Sequence, residues 1–365
     1  MASVEKRIQE EILRDLDMTR EISDEELLGI IRQKICDVGK GEYLSIAYRM
    51  ELEHRIFYGL RRLDVLEDLL ADDTITEIMV NGPDQIFIER NGCLEETKYH
   101  FSSNEKLDDV IQRIASANNK MANTSHPIVD TRLADGSRVN MVLAPIAVDH
   151  SVLSIRKFPK EQITMEKLIA WQALSQEAAD FICQLVQSGY NIFVSGGTGS
   201  GKTTFLNAMS EFIPKDQRVI TIEDSAELQM SSVPNLVRLE TRGANAEGEG
   251  AVEISDLIRA SLRMRPNYLI VGEVRGKECL DMLQALNTGH FGLSTGHGNS
   301  ARDMLSRLET MTLMAADIPL TAVRGQIASA IDILVHLGRL RDRSRRVLEI
   351  TEVTGYAEGE IQLNP

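Results

Sequence analysis

The chain has 365 residues, 43% of them apolar and 26% charged, with a formal net charge of −15. That length allows two domains with cores of their own, and no apolar run approaches the roughly 18 residues of a membrane-spanning helix. The acid excess weighs against a chain whose main work is gripping nucleic acid, because phosphate contacts need a basic surface. Glu5, Lys6, Arg7, Glu10 and Glu11 make a charged start, so no secretory leader is expected. Cys36, Cys93, Cys183 and Cys279 are scattered, with no metal-ligand or disulfide spacing, so no zinc is expected and a reducing cytoplasm is.

Residues 1–70 carry helical periodicity: Ile8, Ile12 and Leu16 form one stripe, and Leu27, Ile30, Ile31 and Ile35 another. Ser23 with Glu26 has the spacing of a capping box, and Gly39 and Gly41 mark a break between helices. This helical extension has the look of a docking bundle and holds nothing catalytic. Residues 71–158 change to short β-rich runs at 76–80, 86–89, 138–143 and 152–156, with Asn81-Gly82-Pro83 and Asn91-Gly92 as turns and a helix at 104–117. They predict a small α+β domain. Residues 159–165, from Pro159, are a candidate linker.

From 166 to the end the pattern is α/β. Strands are expected at 191–195, 218–223, 236–240, 268–272 and 292–295, alternating with helices, which implies a largely parallel sheet. Segments 331–337 and 346–354 pair as a terminal hairpin. Between them Arg339, Arg341, Arg343, Arg345 and Arg346 make the one dense basic cluster, either a solvated loop or a partner-binding patch.

The strongest motif is Gly196-Gly197-Thr198-Gly199-Ser200-Gly201-Lys202-Thr203, which fits GxxxxGK[ST] with an apolar run before it and a helical run from Thr204 after it. Glycines let backbone N–H groups turn onto phosphates, and the helix N-terminus adds a positive dipole end. Lys202 is expected to reach the β- and γ-phosphates of ATP, and Thr203 to ligate Mg²⁺.

Tyr268–Val271 leads through Gly272 to Glu273, which a parallel sheet would bring to the same carboxyl edge, there to hold Mg²⁺ through water or polarise the attacking water. The run 221–228 supplies three more acids, Glu223, Asp224 and Glu227, which would repel one another without a cation or basic partners. Glu227 is the favoured water-orienting group, and a solvated acidic loop is the plain alternative. His297, between Gly296 and Gly298, could sense the γ-phosphate or be a turn residue.

Together these segments resemble the type II/IV secretion ATPase superfamily. Residues 196–203 match its Walker A motif, 221–228 its Asp box, 269–273 with Val274-Arg275 its Walker B, and 294–299 its His box. The runs 132–138, 154–158 and 335–342 are most similar to the Tad/Flp pilus assembly (CpaF-like) branch, and the tetracysteine zinc motif of some type II members is absent. The resemblance implies a RecA-like P-loop ATPase domain behind an N-domain, and a homohexamer. It implies nucleotide between the two domains, with Arg132, Arg138 and Arg156 as phosphate contacts. It also implies an inner-membrane pilus or secretion platform protein as partner for a peripherally associated cytoplasmic motor. A DNA translocase and a non-hydrolysing nucleotide-dependent scaffold are the rival readings of the same core.

Overall fold

The computed structural model describes residues 4–15, 22–158, 162–244 and 249–365. It divides into two compact units, Met1–Lys160 and Glu161–Pro365. Of the expected linker, residues 159–161 lie outside the described residues, as does Leu16 of the first helical stripe.

The first unit begins with α1 (Val4–Asp15), α2 (Asp24–Val38) and α3 (Ile46–Arg61), whose stripes Ile8/Ile12, Leu27/Ile31/Ile35 and Leu52/Ile56 bury together. Ser23 and Ser45 accept from the N–H groups of Glu26 and Tyr48 at 3.2 Å. Each such cap satisfies an orphan donor of the first turn and contributes about 1 kcal/mol. After α4 (Leu66–Ala71) come β1 (Ile75–Asn81), β2 (Ile86–Arg90), β3 (Cys93–Glu96), α5 (Asn104–Ala117), β4 (Ile128–Arg132), β5 (Arg138–Val142) and β6 (Val152–Arg156).

These strands form one antiparallel sheet in the order β3-β2-β1-β6-β5-β4. Val110, Ile111 and Ile114 of α5 pack with Ile78, Val139, Met141, Leu153 and Ile155 on one face. β3 and β4 were not expected as strands. All four residues of β3 are exposed, and β4 buries only Val129, so neither shows the alternation that betrays a half-buried strand.

The second unit runs α6 (Met165–Ala170), α7 (Gln176–Gln187), β7 (Ile192–Gly196), α8 (Lys202–Ser210), β8 (Arg218–Glu223), β9 (Asn235–Glu240), α9 (Ile254–Ser261) and β10 (Tyr268–Val271). It continues through α10 (Glu278–Leu286), β11 (Phe291–Gly296), α11 (Ala301–Ala315), α12 (Leu320–Ala330), β12 (Ile333–Arg339), β13 (Arg345–Ala357) and β14 (Glu360–Asn364). The sheet order is β14-β13-β12-β7-β11-β10-β8-β9, parallel from β12 to β9 and antiparallel across β12, β13 and β14.

Its central strands are buried on both faces, which is why they read as unbroken apolar runs. Phe193, Ile222, Leu269 and Leu334 face one core; Ile192, Val194, Ile270 and Val335 face the other. This two-sided burial brings the ends of β7, β8, β10 and β11 to one rigid edge.

Candidate active site

All five residues of β7 are buried, and the strand ends at Gly196. A Cβ there would lie 2.5 Å from the Leu337 carbonyl oxygen and the Ser200 Oγ, so only glycine fits. The loop closes at Gly201, whose φ of 94° is left-handed, and α8 starts with no side-chain cap. Its first-turn N–H groups therefore have no side-chain acceptor, the arrangement that suits an anion. Lys202 is buried, and its Nζ donates to the carbonyls of Gly196 and Gly197 at 3.1 Å. Burial holds its pKa below the usual lysine value, against the opposing pull of Glu273. Thr203 and Thr204 follow, half-buried, in the first turn of α8.

At the carboxyl edge these groups meet a chain of charges. Lys202 Nζ also donates to His297 Nδ1 at 3.3 Å, and His297 Nε2 lies 2.9 Å from Glu273 Oε1. An ammonium has no acceptor, so Nδ1 must accept, and Nε2 lies beside the buried Glu273 Oε1, which has no hydrogen-bond partner. Burial and the neighbouring Lys202 charge depress the His297 pKa, against the opposing pull of Glu273. Arg275 donates to Glu273 Oε2 at 3.0 Å and approaches Asp224 at 3.9 Å. Burial pushes the Glu273 pKa up, but the hydrogen bond and charge of Arg275, with His297 and Lys202, outweigh it and hold it below the usual value. Val274 N donates to the Thr295 carbonyl at 2.9 Å and Thr295 Oγ1 to the Gly272 carbonyl at 2.7 Å, which tie the segments carrying Glu273 and His297 together.

The acidic run after β8 has a different internal logic. Glu223 is buried, and its Oε1 accepts from the N–H groups of Glu227 and Leu228 at 2.8 and 2.9 Å. It thus shapes the loop that carries Asp224 and Glu227. Its Oε2 is buried with no hydrogen-bond partner, and burial pushes its pKa up to about 7 in spite of those two donors. Gly272 leaves room for this side chain, since a Cβ there would lie 2.9 Å from the Glu223 Cγ. Arg275, which feels the charges of Glu273, Asp224 and Glu227, is the basic partner that the clustered acids require.

The structure therefore gathers Lys202, His297, Glu273, Asp224 and Glu223 at one edge of the second unit. Arg132, Arg138 and Arg156 lie together in the first unit. Arg138 pairs in register with Arg132 on one side and with Arg156 on the other, on the sheet face away from the α5 core.

Two residues escaped the sequence reading. Arg275 was seen only as part of a motif, although a cation two residues after a strand-ending acid was the available signal. Arg345 was placed in a solvated loop or partner patch, whereas its Nε donates to the Gly199 carbonyl at 2.9 Å. A mostly apolar cavity of about 230 Å³ adjoins the loop, with Ser200, Gly201 and Thr204 on one wall and Leu168, Trp171 and Arg345 on others.

A glycine-rich loop between a buried parallel strand and a helix, with a strand-ending acid beside it, defines a P-loop nucleoside-triphosphatase domain of RecA-like fold. The chain belongs to the type II/IV secretion system protein family, whose model matches residues 60–359. It is 35% identical over 305 residues to a putative conjugal transfer protein of Mycobacterium tuberculosis (strain ATCC 25618 / H37Rv), covering 82% of this chain and 86% of that one. It is 33% identical over 298 residues to the probable conjugal transfer protein TrbB of Sinorhizobium fredii, covering 80% and 88%. Among solved structures it is similar in fold to the pilus retraction motor PilT with bound ADP, at 22% identity and a TM-score of 0.58, covering 75% of this chain and 77% of that one. The motif resemblance thus holds at the level of the family, which includes secretion and conjugation ATPases. Among the described residues, no helix is long and apolar enough to cross a membrane.

Proposed function

We propose that the chain hydrolyses ATP to ADP and phosphate and works as a homohexameric motor that powers pilus assembly or protein secretion. Its place would be the cytoplasmic face of the inner membrane, on a platform protein of a Tad/Flp-like machine. The observation that carries the ATPase reading is the continuous chain from the loop lysine through His297 to Glu273. The motor reading draws on the family, on relatives named for conjugal transfer and on the runs 132–138, 154–158 and 335–342.

The roles follow from the geometry. Lys202 leaves the carbonyls of Gly196 and Gly197 for the β- and γ-phosphates. Glu273, kept ionised by Arg275, and Glu227, on the loop braced by Glu223, orient the water and accept its proton. The water oxygen bonds to the γ-phosphorus as the bond to the β,γ-bridging oxygen breaks, and the leaving electron pair stays on ADP. His297 loses its donor when Lys202 engages phosphate and regains it after release, so its orientation reports the nucleotide state. Asp224 anchors the far side of Arg275. The in-register row Arg132, Arg138 and Arg156 is suited to phosphate charge, which guanidinium groups match better than ammonium groups do.

The Thr203 hydroxyl and the Glu273 carboxylate are hard oxygen donors, and the buried, unpartnered Glu273 Oε1 and Glu223 Oε2 at the same edge support a further positive group there. These residues fit Mg²⁺, which when bound neutralises charge on the β- and γ-phosphates.

The test is ATP turnover across a protein concentration series, with light scattering on the same samples. Turnover that needs Mg²⁺, rises as a hexamer forms and ignores added DNA is expected. A monomer that stays idle when saturated with ATP, or turnover driven by DNA, overturns the reading.

A further inference from the structure

The basic cluster at the β12–β13 turn is not an isolated surface feature. β12 pairs with β7 through His336↔Ser195 and Leu337↔Gly196, so the hairpin grows from the strand that launches the phosphate loop. His336 Nδ1 lies 2.8 Å from the Ser195 Oγ, buried. On the other side, Val347 N donates to the Ala173 carbonyl at 2.8 Å and Arg346 to the Gln172 carbonyl at 2.9 Å. The start of β13 is thus pinned just after Arg345, and Arg345 itself pairs in register with Arg339 of β12. From that fixed base the Arg345 Nε meets the Gly199 carbonyl at 2.9 Å, and its Cδ lies 3.5 Å from where a Gly201 Cβ would stand.

We propose that Arg345 is a positioning residue for nucleotide binding, an outside brace that holds the phosphate loop in its receptive shape. This rests on the ATPase reading above. The inner bonds of the loop are provisional: Lys202 Nζ to Gly196 and Gly197, and Ser200 N to the Gly197 carbonyl at 3.3 Å, use the donors that phosphates would claim. The Arg345 bond uses an outward carbonyl and has no need to break when phosphate arrives. The Gly199 carbonyl belongs to the same peptide unit as the Ser200 N–H. A cationic donor on the oxygen polarises that unit and strengthens the N–H as a donor. Arg345 thus both fixes the peptide plane and sharpens the donor on its inner side.

The chain carries its own reporter. Its single tryptophan, Trp171, lines the cavity that also borders Ser200, Gly201 and Arg345. ADP is titrated against Trp171 fluorescence and by calorimetry, and steady-state ATP turnover is measured for wild type, Arg345→Ala, Arg345→Lys, Arg341→Ala and Lys202→Ala. Arg345→Ala is expected to raise the ADP Kd and the ATP KM about tenfold with kcat within about twofold, because the bond is a charged one outside the reacting groups. Arg345→Lys, which keeps the charge and one donor, should fall between. Arg341→Ala, from the same exposed cluster, should match wild type, and melting temperatures should agree across the set. Unchanged Kd and KM in Arg345→Ala, or an equal loss in Arg341→Ala, overturns the brace while leaving the ATPase reading intact. No ADP binding by wild type overturns both.

Discussion

The two units arrange their functional charges in opposite ways. Along the edge of the second unit the groups alternate: Lys202, neutral His297, Glu273, Arg275 and Asp224, each within hydrogen-bond or ion-pair reach of the next. In the first unit, Arg132, Arg138 and Arg156 stand side by side in register across three strands, with Glu77 in register beyond Arg156. Like charges directly opposite on neighbouring strands destabilise by about 0.2–1 kcal/mol a pair, whereas an alternating set is held together by its own attraction. The alternating set is preorganised for chemistry without a ligand. The three adjacent guanidinium groups are suited to an anion, with Glu77 offsetting part of their charge at one end.

The largest effects should come from cutting the alternating set. Lys202→Ala removes its first link and the main phosphate donor, so tight nucleotide binding should be lost and turnover should fall at least about 100-fold. Glu273→Gln keeps the shape but removes the negative charge. Nucleotide binding should persist, read from Trp171 fluorescence, while phosphate release slows by about 100-fold. Wild-type turnover in Glu273→Gln would remove that residue from the chemistry.

Glu223 is a buried carboxyl held by backbone N–H groups, and it supplies a prediction in pH. Its folded pKa of about 7 stands above its unfolded value near 4.5, because burial outweighs the two N–H donors. The folded state therefore holds the proton more tightly. The associated stability is fully present below the unfolded pKa and is lost as pH rises through about 7. In the absence of nucleotide, thermal unfolding of wild type should weaken between pH 5 and 8 relative to Glu223→Gln, by on the order of 2 kcal/mol. Parallel pH curves for the two proteins would show that the carboxyl is ionised throughout.

Much of this site was legible in the sequence because its parts are local. The phosphate loop is contiguous, and Glu273 follows a four-residue apolar strand whose burial on both faces dictates where its end must lie. The helical stripes of α1–α3 were readable for the same reason, since each is set by spacing within one element. What stayed hidden depends on partners distant along the chain. Arg345 reaches Gly199 across 146 positions, a contact fixed by β12 lying beside β7 rather than by any local pattern. The register that aligns Arg132, Arg138 and Arg156 was likewise unreadable, because β4 lacks the alternation that would have marked it as a strand. Arg275 was visible but unassigned, since its role appears only when the acidic loop after β8 is folded against the end of β10.

The smallest expected effect is the most direct test of the contrast between the units. Arg138 is the middle of its row, with a like charge directly opposite on each side. Arg138→Gln removes both oppositions and keeps a polar side chain of similar reach. Without nucleotide the variant should stay within about 1 kcal/mol of wild type, because the oppositions removed and the contacts Arg138 makes within the fold act in opposite directions. With saturating ADP or inorganic phosphate wild type should gain more stability than the variant does, because it keeps the central guanidinium of the row. Arg275→Gln should lose up to about 1 kcal/mol in the absence of nucleotide, as Glu273 and Asp224 lose their shared cation at a partly exposed site. The response to the anion carries the argument: if Arg138→Gln gains as much stability from ADP or phosphate as wild type does, the row does not meet the anion, and the contrast drawn between the two units fails.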